Sequence, residues 1–150
     1  MDDFRNRPKE NFIQEANWNE LYLLTESWKN DLDFYLFEIK FMESLIENRF
    51  SELLLFENLD ELRELQIDVY ELKNQCEHLL NNSKNNLESI VDIINDTYIL
   101  NTSRFRSENE QLEENIIHFI NKEREIKRCI FSMIKNILEK KKEKNSWMFN

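Results

Sequence analysis

Apolar residues recur at helical spacing along three long segments of this chain, and the clearest segment runs from about residue 105 to 140. Its apolar residues follow one another at steps of seven and then of four and three: Phe105, Leu112, Ile116, Phe119, Ile126, Ile130, Met133 and Ile137. Residues three and four apart lie on one face of an α-helix. The pattern therefore predicts a long helix whose apolar face is covered by other helices. Glu123 is the one polar residue that interrupts the series.

The first segment of this kind begins after Asn17, which has Glu20 three residues later. These two residues have the positions of an N-cap and its reciprocal carboxylate. The helix is expected to end near Phe50. Its apolar face is formed by Trp18, Leu21, Thr25, Trp28, Leu32, Tyr35, Ile39, Met42 and Ile46.

The second segment begins with the same cap pattern, at Asn58 and Glu61, and is expected to end near residue 100. Its apolar face is formed by Leu62, Leu65, Val69, Leu72, Cys76, Leu79, Leu87, Ile90 and Ile94. The polar run Asn81–Asn86 interrupts this series, and asparagine and serine are middling to poor helix formers. Because the series resumes after one four-residue step, we expect one long helix that is locally unwound. A loop at this run, which would give four helices, is the alternative.

Three long helices with short polar connections predict an all-α fold, an elongated antiparallel up-and-down three-helix bundle. Ser107 and Glu110 form an S-x-x-E capping box, so the third helix is expected to begin there and to end near residue 144. The chain has no glycine and a single proline, which leaves few means of making tight turns. We expect a loose arm with about one helical turn over residues 1–16, the bundle over 17–145 and an apolar tail over 146–150.

Charge and hydropathy narrow the classes of partner. The formal net charge of −10 repels a phosphate backbone, so we expect no nucleic-acid partner. The first twelve residues are charged and polar, unlike a signal peptide. The longest aliphatic or aromatic runs, of which Leu53–Phe56 is one, are far too short to span a bilayer. A cytoplasmic location is expected. Trp147–Phe149 is the only candidate membrane anchor, and we expect it instead to fold back on the bundle or to dock on a partner subunit.

The first helix carries a second apolar series outside its main face. This series consists of Phe34, Phe37, Phe41 and Leu45. One neighbouring helix covers only a narrow stripe, so a helix that is apolar over such a wide arc contacts two neighbours or another chain. We therefore expect a non-catalytic interaction or scaffold protein that binds itself, as a homodimer, or another helical protein through this series.

Three polar residues occupy positions of the apolar faces: Thr25, Ser83 and Glu123. If the two turns lie near residues 53 and 103, these residues reach about the same height in an up-and-down bundle. They predict either a small-ligand pocket or a polar layer that fixes the register of the helices. In the pocket, Glu123 would act as acid, base or anchor, with Ser83 and Asn86 as hydrogen-bond partners. Burial would raise the pKa of Glu123.

Other chemistry finds little support in the sequence. Cys76 and Cys129 are also placed at one height, and two unpaired thiols are a simpler interpretation than a disulfide or redox pair. Carboxylate-bridged di-iron bundles use Glu-x-x-His motifs, but neither histidine here has a glutamate three residues before it. No serine or cysteine nucleophile has a histidine facing it at its height. We expect no metal, no cofactor and no enzymatic activity.

Overall fold

The computed structural model describes Arg7, residues 10–95 and residues 102–148, with side chains as far as residue 143. This part of the chain is all-helical and contains no strand, as the sequence predicts. Five helices pack against one another. They are α1 (Phe12–Glu15), α2 (Trp18–Asn48), α3 (Phe50–Leu53), α4 (Leu59–Ile94) and α5 (Thr102–Met148).

The predicted starts of the first two long helices are confirmed. Asn17 Oδ1 accepts a hydrogen bond from the backbone N–H of Glu20 at 2.8 Å, and the Glu20 carboxylate accepts one from Asn17 N–H at 3.2 Å. At the start of α4, Asn58 Oδ1 accepts from the N–H groups of Asp60 and Glu61. Each cap satisfies backbone donors that have no partner inside the helix.

The run Asn81–Asn86 lies inside α4, so the four-helix alternative is wrong. Ser83 is buried, and its hydroxyl donates to the carbonyl of Leu79, four residues earlier, at 2.9 Å. The helix therefore satisfies the buried hydroxyl without unwinding. Leu80 and Ile90 are buried on either side of the run and supply the packing that its own residues lack.

The start predicted for the third long helix is wrong. α5 begins at Thr102, and Ser107 is an exposed residue inside it. Phe105 is buried, which accounts for the extension, because an unwound chain would leave this ring in water. The helix continues to Met148, and the side chains of the predicted tail, including Trp147–Phe149, lie outside the described residues.

The described end of the N-terminal arm is packed rather than loose. α1 is a single turn, as expected, but Ile13 is only 1% exposed and Ala16 is buried. The Arg106 guanidinium on α5 donates to the carbonyls of Ile13 and Ala16, both at 2.8 Å. Arg7 forms a two-pronged ion pair with the buried carboxylate of Glu113, at 2.8 and 2.9 Å. These contacts attach the arm to α5.

Contacts between side chains fix the directions of the long helices. Lys73 of α4 binds Glu43 of α2, whereas Cys76, later in α4, donates to the earlier carbonyl of Leu32, so α2 and α4 are antiparallel. Along α5, Asn109 meets Thr25 and Lys127 meets Glu38, so α5 runs in the direction of α2. One continuous cluster of buried apolar side chains lies between these helices.

Candidate functional sites

The three phenylalanines of the second apolar series on α2 face away from the core. The side chains of Phe34, Phe37 and Phe41 are 60%, 72% and 54% exposed, and Leu45 is half-buried against the core. With 100° of rotation per residue, this face lies nearly opposite the one that buries Leu32. The series is therefore a separate surface rather than an extension of the core.

This surface, which we name the aromatic face, contains no charge. The positions within about 40° of its centre between residues 23 and 48 are Leu23, Ser27, Asn30, Phe34, Phe37, Phe41, Leu45 and Asn48. Charged residues make up 33% of the chain, so two or three charges would be expected among eight surface positions. Charge is also depleted at the centres of protein interfaces, where aromatic residues are enriched.

The second candidate site is a buried carboxylate with a second carboxylate beside it. Glu123 on α5 is 0% exposed, and its Oε1 lies 3.4 Å from Lys127 Nζ. The same ammonium group donates to Oε1 of Glu38 on α2 at 2.8 Å. When Glu123 and Glu38 are both ionised, each carboxylate can only accept hydrogen bonds. In that state neither Glu123 oxygen has a hydrogen-bond partner among the described residues. One lysine thus faces two acidic groups on different helices.

Burial, together with the hydrogen bond and charge of Glu38, raises the pKa of Glu123 to about 7. A protonated Glu123 can donate its hydroxyl to Glu38, which the ionised form cannot do. Although burial acts to raise the pKa of Glu38, hydrogen bonds from Glu123 and Lys127 outweigh it, so this pKa is lowered. Below about pH 7 the pair therefore holds one proton, which resides on Glu123.

Asn109 joins two of the predicted polar residues. Its amide donates to Thr25 Oγ1 at 3.4 Å, and its carbonyl oxygen accepts from Asn86 Nδ2 at 2.6 Å. Thr25 also donates to the carbonyl of Leu21 at 2.8 Å. Asn109 is 0% exposed, and its contacts connect α2, α4 and α5 in one polar layer.

The predicted group of Thr25, Ser83, Asn86 and Glu123 does not come together as one site. Thr25 and Asn86 meet through Asn109, while the Ser83 hydroxyl bonds within its own helix. Glu123 contacts Glu38 and Lys127, and it lies 14 residues beyond Asn109 on α5, a distance of roughly 21 Å along the helix axis.

Sequence reasoning missed Asn109, although the sequence contains a signal for it. The apolar series of the third helix steps by seven residues from Phe105 to Leu112, and Asn109 fills the intermediate position. Helical periodicity places a buried side chain at that position, and the residue present there is polar. The predicted heights are also displaced, because they assume a turn near residue 103, whereas the midpoint between the end of α4 at Ile94 and the start of α5 at Thr102 is residue 98.

The two cysteines do not pair. Both are free, with Cys76 buried and Cys129 exposed. Burial raises the pKa of the Cys76 thiol to about 12, and its Sγ donates to the carbonyl of Leu32 at 3.4 Å. Cys76 is therefore a protonated core thiol.

Two surface grooves lie away from these polar residues. The first has a volume of about 300 Å³ and lies between α2 and α4. It is lined by Glu43, Ile46, Glu47, Gln66, Val69 and Tyr70. The second has a volume of about 370 Å³ and is lined by Tyr22, Leu87, Glu88, Val91 and Asp92. Neither groove includes Glu123 or Asn109.

No family model, curated protein or solved structure matches this chain. Within residues 10–95, residues 102–148 and Arg7, no three histidine, cysteine or acidic side chains lie close enough together to hold a metal ion. No helix in the same part of the chain is long and apolar enough to cross a membrane.

Proposed function

We propose that this protein is a non-catalytic helical interaction protein that self-associates through the aromatic face. In this proposal α2, α4 and α5 form an up-and-down three-helix bundle, and the bundle serves as a rigid support for the face. The observation that carries the proposal is the exposure of Phe34, Phe37 and Phe41 on the side of α2 opposite the core.

The area of the face is sufficient for a weak or moderate dimer. A phenylalanine can bury roughly 200 Å², so the exposed fractions of 60%, 72% and 54% leave roughly 370 Å² on three rings. Two copies would therefore bury roughly 750 Å² of phenylalanine surface. Leu23, Leu45 and the surrounding polar residues would bring the total toward the roughly 1,200 Å² at which specific interfaces begin.

A second copy fits the geometry of the face. Its positions recur at steps of three and four residues, which is the spacing that allows two helices to pack along their length. A symmetric dimer places the same surface of both copies in contact, so each uncharged face would meet another uncharged face. Another helical protein with an apolar stripe is the competing occupant.

Light scattering with Phe37→Glu tests the proposal. The chain has a mass of 18.5 kDa, so the wild type is expected to have a mass near 37 kDa at high concentration and to approach the monomer mass on dilution. Phe37→Glu is expected to weaken association at least tenfold, because it places two charges in an apolar contact. Phe131→Glu is the matched control, since Phe131 is an exposed phenylalanine on α5.

A wild type that stays monomeric at every concentration would contradict self-association, even if it binds another protein. A dimer that is equally stable in the wild type and in Phe37→Glu would show that a different surface is used.

The alternative function is the binding of a small ligand, with or without catalysis, at a site organised around Glu123. The unpartnered oxygens of this buried carboxylate favour it. Against it, Thr25, Ser83 and Asn86 already use their polar atoms in contacts within the protein. Native mass spectrometry of freshly purified protein tests this alternative, which requires a small molecule or ion bound to the folded chain.

A further inference from the structure

We propose that Glu38, Glu123 and Lys127 form a proton-operated latch between α2 and α5, which is closed while Glu123 is protonated and loosens when Glu123 ionises. This inference does not depend on self-association. It concerns the contact between two helices within one chain.

The geometry gives the latch two different states. With a proton on Glu123, the carboxyl group can donate to Glu38, and the Lys127 ammonium neutralises the one remaining negative charge. Without that proton, two carboxylates face one ammonium group. Among the described residues neither oxygen of the fully buried Glu123 has a hydrogen-bond partner, although Lys127 Nζ lies 3.4 Å from its Oε1. A buried charge that is poorly hydrogen-bonded is unfavourable, so the ionised state favours separation of α5 from α2.

The other titratable groups that face Glu123 do not change charge near pH 7. From α2, Tyr35 packs its ring edge-on against Phe119, and burial followed by the charge of Glu123 raises its pKa. From α4, burial raises the pKa of Cys76 to about 12. On α5, Lys127 is held in its charged form chiefly by its hydrogen bond to Glu38. The change of charge in this cluster near neutral pH is therefore that of Glu123.

The direction of the effect follows from proton binding. A carboxyl group in open water titrates near 4.5, whereas Glu123 in the closed contact titrates near 7. The closed form consequently binds the proton more tightly, and the fraction of open molecules rises as pH increases from about 4.5 to 7. The shift corresponds to an increase of about 100-fold or more in the opening equilibrium.

Cys76 provides a built-in reporter of opening, because it is buried and lies near Glu123 in the core. In a Cys129→Ser background, the rate at which 4,4′-dithiodipyridine labels Cys76 is measured at pH 5.5 and pH 8.5. Wild type and Glu123→Gln are compared at the same pH, so the intrinsic reactivity of the thiol cancels. The glutamine amide can donate to Glu38 but cannot ionise.

At pH 8.5 the latch predicts labelling about 100-fold or more faster in the wild type than in Glu123→Gln. At pH 5.5, which is about one pH unit above the midpoint of the open carboxyl group, the difference shrinks to about tenfold. Glu125→Gln, which changes an exposed carboxylate on the same helix, is expected to behave as the wild type. Glu38→Gln provides a second variant if Glu123→Gln does not fold, and it too should slow labelling at pH 8.5. The proposal would be overturned if, at pH 8.5, Cys76 were labelled at the same rate in the wild type and in whichever of Glu123→Gln and Glu38→Gln folds. It would also be overturned if carbon-13 NMR showed that the Glu123 carboxyl group titrates near 4.5.

Discussion

Replacing Asn109 with alanine is expected to destabilise the protein through the polar layer. Asn109 is buried on α5, and its side chain connects Thr25 on α2 with Asn86 on α4. In Asn109→Ala the Thr25 hydroxyl keeps its bond to Leu21, but the Asn86 amide loses its acceptor. Because Asn86 is half-buried, water can replace that acceptor only in part.

Two terms set the size of the effect. Loss of the hydrogen bond to a partly buried amide costs about 1 to 1.5 kcal/mol. Removing the three heavy atoms of the carboxamide leaves a cavity of roughly 30 Å³, which costs about 0.7 kcal/mol at the usual dependence on cavity volume. The free energy of unfolding is therefore expected to fall by about 2 kcal/mol, and Tm by about 4 to 8 °C.

Urea unfolding followed by circular dichroism measures this change, with all proteins at one concentration so that self-association affects each equally. Asn121→Ala is the matched control, because Asn121 is exposed on the same helix. Both substitutions gain the same helix propensity from alanine, so the difference between them isolates the buried contacts. Equal stability of the two variants would refute the assignment of Asn109 as the residue that connects the three helices.

Three further predictions follow from the described contacts. Between pH 4.5 and 7 the free energy of unfolding of the wild type should fall, relative to that of Glu123→Gln, by at most about 3 kcal/mol. The reason is that the folded state binds the proton of Glu123 more tightly than the unfolded state does, and urea titrations of both proteins at both pH values check this. Arg106→Met should expose the carbonyls of α1 and remove the guanidinium that lies 4.1 Å from the Trp18 ring centre. A change in tryptophan fluorescence together with earlier proteolysis near α1 would support this expectation, and an unchanged digestion pattern would contradict it. Iodoacetamide should modify Cys129 alone in native protein and both cysteines in urea, so mass spectrometry that finds Cys76 modified at the native rate of Cys129 would disprove its burial.

The long helices could be predicted from sequence because their signals are local. The caps at Asn17 and Asn58 use residues two or three positions away, and the apolar periodicity needs no knowledge of the partner helix. The prediction that α5 starts at Ser107 was wrong for the opposite reason. Ser107 has a local cap motif, but burial of Phe105 and the contact between Arg106 and α1 extend the helix beyond it. Tertiary packing therefore outweighed the local signal.

The candidate sites depend on heights along the helices, which the sequence determines poorly. A turn placed five residues too late moves the α4 residue expected opposite each α5 residue by about ten positions, which is more than two helical turns. For this reason Asn86 was grouped with Glu123 instead of Asn109. The exposure of the aromatic face was more accessible to prediction, because the positions of Phe34, Phe37 and Phe41 around α2 follow from the helix period alone.

The attachment of α1 to α5 has a consequence for the order of folding. Arg106 and the carbonyl of Ile13 are 93 residues apart in the chain, so a nascent polypeptide leaving the ribosome cannot make this contact until α5 has been synthesised. The antiparallel pair of α2 and α4 joins residues much closer in sequence and can form first. Until α5 has been synthesised, the apolar side of this hairpin that later contacts α5 would be exposed to water. The chain would be most prone to aggregation at that stage.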